Sequence, residues 1–271
     1  MGMPRKLFEY MKSTPSTRLT EFFYDHDSPN DAQMIVEFGF RMNPTAADAP
    51  NMFSSEGHPR FALAVDVMKK GVEDGNADVA YELGRMYHEG SDNHDPDIKT
   101  AIRWYEKSAE LGNHIAYHSL GVIFSNGDHV KINNKRATEY YRKAAELGLA
   151  GSQNYLGWAY YKGYGVPKNY GLAIYWITRA VEQGEPFAYN SLGQMRLYAH
   201  GFPPDDVDAY KWLKLAEKSL PKGRPQVENT RLLKMLEKRM KAADVKRGNE
   251  HVEAWRPSKQ TQHLIENKCN G

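Results

Sequence analysis

Small and apolar side chains recur at three- and four-residue spacing along the middle of the chain. In AYELGRMYHEG (Ala80–Gly90), Tyr81, Gly84, Tyr87 and His88 fall on one face of a helix. The pattern returns as AYHSLGVIFSNG (Ala116–Gly127), SQNYLGWAYYKGYGV (Ser152–Val166) and AYNSLGQMRLYAHG (Ala188–Gly201). Each copy is followed by a second striped block: TAIRWYEKSAELG, RATEYYRKAAELG, LAIYWITRAVEQG and DAYKWLKLAEKSL, beginning at Thr100, Arg136, Leu172 and Asp208. The Leu-Gly pairs at Gly84, Gly121, Gly157 and Gly193 are 37, 36 and 36 residues apart, and Ala101, Ala137, Ala173 and Ala209 keep steps of 36. Self-similarity at this period predicts a stack of helix pairs, each burying its apolar face against its neighbours.

The parts of one repeat have separate physical jobs. A glycine in mid-helix costs about 0.5–1 kcal/mol relative to alanine, so its recurrence implies close approach of a second backbone or side chain. The expected partner is the second helix of the same repeat, whose alanines are equally small. Gly90, Gly127 and Gly163 are placed to end the first helices, and Gly112, Gly148 and Gly184 the second ones. Asp97, Asn133, Asn169 and Asp205 stand in equivalent loop positions, suited to capping the second helices.

These residues resemble the Sel1-like repeat, an α/α solenoid relative of the tetratricopeptide repeat. The third copy, Gly157 to Gly184, matches best and keeps the whole Gly163-Tyr164-Gly165-Val166 loop. The first copy carries SDNHDPD there, the second lacks the second glycine, and the fourth carries Arg196 and two extra residues before Gly201. Such loops are expected to vary on one face of a solenoid. The resemblance implies an all-α fold, a right-handed α/α superhelical solenoid of about five helix pairs with a C-terminal capping helix. The expected organisation is a lead segment (1–31), a degenerate first repeat (32–79), four repeats (80–223), the cap (224–256) and a disordered tail (257–271). In the degenerate repeat Val65, Met68 and Gly75 repeat second-helix positions, Ile35 to Met42 supplies a first helix, and a Pro-rich loop over 43–60 separates them. The cap is read as one helix with an apolar stripe of Val227, Leu232, Leu233, Leu236 and Met240, closing at Trp255-Arg256-Pro257.

In a superhelix of this kind the first helices line the concave face. Positions three before, one after and four after each helix glycine are expected to point into that groove, clear of the core leucines. They are Tyr81, Arg85 and His88; His118, Val122 and Ser125; Asn154, Trp158 and Tyr161; Asn190, Gln194 and Leu197. Amides and imidazoles there suit the backbone of an extended peptide, with Trp158 as an aromatic anchor. The resemblance implies a non-enzymatic protein–protein interaction module, an adaptor or scaffold for a protein or extended peptide in a bacterium. An immunity-type inhibitor of a toxin is the alternative within the binding class, and a penicillin-interacting enzyme the alternative outside it.

Composition narrows the chemistry. The 271 residues are 41% hydrophobic and 26% charged, ordinary for a globular chain, and no apolar run approaches the roughly 18–20 residues that span a bilayer. No secretory signal follows the first Met as written, so a cytoplasmic protein is expected, or a periplasmic one if a native signal has been removed. The single cysteine, Cys269, excludes an internal disulfide. The net charge of +2 hides an acidic stretch, 5 Lys/Arg against 16 Asp/Glu over residues 21–97, a difference of −11. A partner of opposite charge could be steered by it. His114 and His118 have zinc-site spacing but lack the intervening Glu and a third ligand, so no metal is expected. Ser219-Leu-Pro-Lys222 reads as S-x-x-K without companion motifs, and Gly163-Tyr-Gly165 lacks the strand and third glycine of a dinucleotide site. The cap holds nine Lys/Arg between Lys222 and Arg247, which reads as a solvated face more than as a nucleic-acid track. No catalytic residue and no cofactor are expected.

Overall fold

Four short polar side chains start the second helices. Asp97 accepts from the Thr100 amide, Asn133 from Arg136, Asn169 from Leu172, and Asp205 from both Val207 and Asp208, all at 3.0–3.1 Å. Each satisfies an amide that the first turn leaves without an intrahelical partner. The computed structural model that shows this describes residue 65 and residues 68–90 and 95–257. The expected lead segment, the helix over 35–42, the loop over 43–60 and the tail from 258 lie outside the described residues.

The helices are α1 (Ala77–Glu89), α2 (Ile98–Glu110), α3 (His114–Asn126), α4 (Asn134–Glu146), α5 (Ala150–Lys162), α6 (Tyr170–Glu182), α7 (Pro186–Leu197), α8 (Asp206–Ser219), α9 (Arg224–Glu237) and α10 (Ala242–Ala254). A further helical run covers 68–73, and among the described residues there is no strand. The architecture is the all-α, helix-pair solenoid that the repeat predicts. The chain divides into two compact units, residues 1–120 and 121–271, with the boundary inside α3.

In the first unit α1 packs on α2. Val65, Met68 and Val72 join Val79, Ala80 and Leu83 in one core cluster. The run over 68–73 ends where the Gly75 amide reaches the Val72 carbonyl, with Gly75 at φ 85°. The helical run over 68–73 thus packs on α1 through the same cluster. Glu82 is also buried here, 5% exposed, with Arg85 at 3.6 Å. Burial raises its pKa to about 7, against the opposing pull of Arg85. A raised folded-state pKa makes ionisation unfavourable, so stability should fall as pH rises from about 4.5 to about 7. Glu82→Gln should remove that dependence and stabilise the protein at pH 8 by about 2 kcal/mol, read from denaturant melts at pH 5 and pH 8.

In the second unit α4 packs on α5, α5 on α6 and α7, α7 on α8, and α8 on α9 and α10. The helix glycines do mark close approach within a repeat, and the nearest group at each is the large side chain one turn beyond the alanine, with the Ala173 carbonyl also close at Gly157. A Cβ on Gly121 would meet the Tyr141 ring at 2.5 Å, on Gly157 Ile177 Cγ1 at 2.6 Å, and on Gly193 Leu213 at 2.8 Å; in the first unit Gly84 meets Tyr105 at 2.6 Å. Each occupant stands four residues beyond the small Ala101, Ala137, Ala173 or Ala209, one turn along the second helix. Glycine makes room for one large side chain per repeat.

The loop of the third copy is not free to vary. Its Gly165, at φ 71°, lies against the Asn134 carbonyl so closely that no Cβ fits, and Thr138 Oγ1 donates to the Tyr164 carbonyl at 2.8 Å. This loop sits on the first turns of the preceding second helix, α4. The fourth copy absorbs its extra residues with Ala199 at φ 54°, and its Arg196 pairs with Asp208 at 2.7 Å while its guanidinium carbon lies 3.7 Å from the Phe202 ring centre.

The C-terminal cap is two helices and not one. The apolar stripe turns back after Leu236: Leu233 and Leu236 are buried with Leu213, and Met240 in the break and Val245 beyond it return to the same cluster. Arg239 in the turn forms a two-pronged pair with Asp206 at the start of α8, at 2.9 and 2.5 Å. α10 then repeats the glycine device, since a Cβ on Gly248 would meet Tyr210 at 2.6 Å. Trp255 closes the end, its Nε1 donating to the Tyr189 hydroxyl at 3.2 Å and its ring edge-on to Trp212 at 4.9 Å.

Candidate functional site

The expected groove residues divide by their position relative to the helix glycine. Those three before it mostly bond one repeat onward. Tyr81 shares a hydrogen bond with Ser119 at 3.2 Å, Asn154 accepts from Ser191 at 2.8 Å, and Asn190 Nδ2 donates to Asn229 at 2.9 Å. Asn154 is 7% exposed, and Asn190 Oδ1 is further occupied by Gln194 Nε2 at 2.5 Å. These amides tie neighbouring first helices together, so a partner's backbone does not find a free amide ladder there. His118, at the matching place in the second copy, is half-buried, and burial lowers its pKa.

Those four after the glycine turn inward, against the expectation that they stand clear of the core. His88 meets the Tyr105 hydroxyl at 3.5 Å, and Ser125 meets that of Tyr141 at 3.0 Å. Tyr161 is buried and bonds His200 Nδ1 at 2.7 Å, and Leu197 is buried with Leu213 and Leu233. The reason is helix periodicity: residues i and i+4 share a face, so the face that admits the second helix at the glycine presents the next turn to it as well.

The positions one after the glycine are all half-buried. Arg85 is committed to Glu82 and to Glu89 at 3.3 Å, Val122 is half-buried, and Gln194 bonds Asn190. Trp158 is the open aromatic. It is half-buried, rests on Tyr161 at 4.9 Å between ring centres, and carries Lys162 Nζ at 4.8 Å above its ring. From Trp158 the rings continue through Tyr161 to His200 at 5.5 Å and on to Tyr198 at 5.9 Å, which is 47% exposed. Tyr170 stacks on His200, 5.3 Å away and 7° from parallel. Sequence reading missed Lys162, Tyr198 and His200. The extra residues before Gly201 were the available signal, because an insertion after a first helix adds side chains to that end of it.

Neither histidine of the H-x-x-x-H pair gathers ligands: His114 is exposed, and among the described residues no three His, Cys, Asp or Glu come together. Ser219 and Lys222 are both exposed, at and after the end of α8. Among the described residues no helix is long and apolar enough to cross a membrane.

Comparison with known proteins agrees with this architecture. The sequence profile of the Sel1 repeat matches residues 77–113, 114–149, 150–185 and 186–218, each match opening at or near the start of a first helix. No curated protein matches the chain. A protective antigen of uropathogenic Escherichia coli displaying an SLR fold is 24% identical, with a TM-score of 0.65 over 96% of this chain and 50% of its own. The present chain therefore spans about half the length of that antigen, and the likeness is one of fold. A Sel1 repeat protein from Oxalobacter formigenes is 36% identical over 44% of this chain and 89% of its own, with a TM-score of 0.40. An immunity protein from Pseudomonas aeruginosa is 18% identical over 69% and 74%, also with a TM-score of 0.40.

Proposed function

The chain belongs to the Sel1 repeat family, whose members are generally protein-interaction modules and not enzymes, and from that premise we propose that it is an adaptor holding a protein or peptide partner against the first helices of its second unit. The observation that supports this is the half-buried ring of Trp158, flanked by Lys162 and backed by the buried Tyr161, which joins it through His200 to the exposed Tyr198. A large ring that is half-buried on a rigid helix loses little freedom on binding, and its remaining surface is desolvated when a partner closes over it. The neighbouring amides are satisfied within the protein, so the partner gains affinity from ring contact and from Lys162, not from a backbone ladder.

Affinity capture with mass spectrometry identifies the partner, and calorimetry then measures its variants. Trp158→Ala should weaken binding by about 2 kcal/mol, roughly thirtyfold, with Trp158→Phe retaining most of the affinity. Asn154→Ala should act on stability and leave affinity nearly unchanged, because its oxygen faces Ser191. Full affinity in Trp158→Ala, with loss on deleting residues 44–59, moves the site to the N-terminal loop.

A further inference from the structure

A second surface lies at α9. Its inner face is used up, Asn229, Leu233 and Leu236 being buried against α7 and α8. Its outer face borders a groove of about 950 Å³ together with Tyr198 from the end of α7. Val227 is 68% exposed and Met235 43%, unusual for side chains that share a groove with an exposed tyrosine. Around them stand Arg231, Lys234 and Lys238, with Glu228 the one carboxylate among the lining residues. Nearby, Lys214 is matched with Glu217, Arg247 with Asp244, and Arg239 in the turn with Asp206. The three groove cations bond no carboxylate among the described residues.

We propose that this face of α9, with Tyr198, receives an acidic amphipathic helix from a partner protein. The shape follows from the register of the unit. α5 has α7 bonded along it through Asn154 and Ser191, and α7 has α9 through Asn190 and Asn229, so the next element on α9 is a helix. The chemistry follows from the face: Val227 and Met235, on one row of α9 with Arg231 between them, meet apolar side chains of the partner, and Arg231, Lys234 and Lys238 meet its carboxylates. This surface shares Tyr198 with the aromatic path from Trp158, but the proposal rests on the side chains of α9 and not on that path.

The probe is a pair of labelled synthetic helices of about 18 residues, five turns long, with the same leucine stripe and either glutamate or lysine elsewhere. Fluorescence anisotropy on the full chain should show the glutamate peptide binding at least ~10-fold tighter than the lysine peptide, with the preference shrinking as salt rises. The combined Arg231→Glu, Lys234→Glu and Lys238→Glu variant, all surface changes, should lose at least ~10-fold for the glutamate peptide while its thermal melt is unchanged. Val227→Ser with Met235→Ser should weaken it too, and Trp158→Ala should leave it untouched. Equal binding of the two peptides, or indifference to the charge reversal, overturns the proposal. So does sedimentation showing that the chain covers this face with a second copy, or displacement of the peptide by a DNA duplex at equal concentration.

Discussion

Gly157→Leu is expected to cost about 3 kcal/mol or more, lowering the melting temperature by ~6–12 °C. The glycine has buried neighbours on the side where a Cβ would go: Ile177 Cγ1 at 2.6 Å, the Ala173 carbonyl at 3.0 Å and the Ile177 amide at 3.1 Å. Two of these are backbone of α6, so the strain cannot be relieved by rotating a side chain, and the helices must separate. Gly157→Ala should show the same effect at about 1–2 kcal/mol, although alanine gains helix propensity. Gly171→Ala supplies the control. That glycine is also helical, but its added Cβ would meet only Asn169 Oδ1 at 3.4 Å, so the variant should be as stable as the parent or gain up to ~1 kcal/mol. If both alanine variants melt alike, the glycine is not admitting Ile177.

Asn229→Ala should cost about 3 kcal/mol and loosen the C-terminal helices selectively. Asn229 is fully buried, donates to the Leu213 carbonyl at 2.9 Å and accepts from Asn190 Nδ2 at 2.9 Å. Truncation leaves a buried carbonyl without a donor and a void beside Leu233. Hydrogen exchange should show α9 and α10 losing protection while α4 to α6 keep theirs. Equal loss throughout the second unit would mean that Asn229 acts as general core and not as the joint between α7 and α9.

The repeat carried most of the fold on its surface. The Leu-Gly step, the four caps and the positive-φ glycines at helix ends are local features, each fixed by a handful of adjacent residues, and each appears where the spacing put it. What the sequence did not disclose is what lies opposite. Nothing next to Gly121 announces Tyr141, twenty residues away, and nothing around Asn154 announces Ser191. Leu197 and Tyr161 were legible in principle, since they share a face with their glycines. The break before α10 was not, because the Glu237–Lys241 stretch contains neither glycine nor proline, and the turn is held by Arg239 on Asp206. Trp158 and Gln194 stand where helix periodicity puts them, whereas the groove at α9 depends on Tyr198, brought in from another helix.

The pinned loop at Gly165 has a consequence for how the chain is made. Gly165 closes on Asn134, Gly201 on Tyr170, Ser191 on Asn154 and Asn229 on Asn190, each reaching back about one repeat toward the N-terminus. On a ribosome, where the N-terminal end emerges first, every newly extruded helix pair of the second unit after the first meets its docking surface already built. Contacts of this kind close at separations of about one repeat, so the entropy lost in closing each is small, whereas the contact of Trp255 with Tyr189 waits until α10 has been made. Synthesis and assembly can therefore keep pace, repeat by repeat.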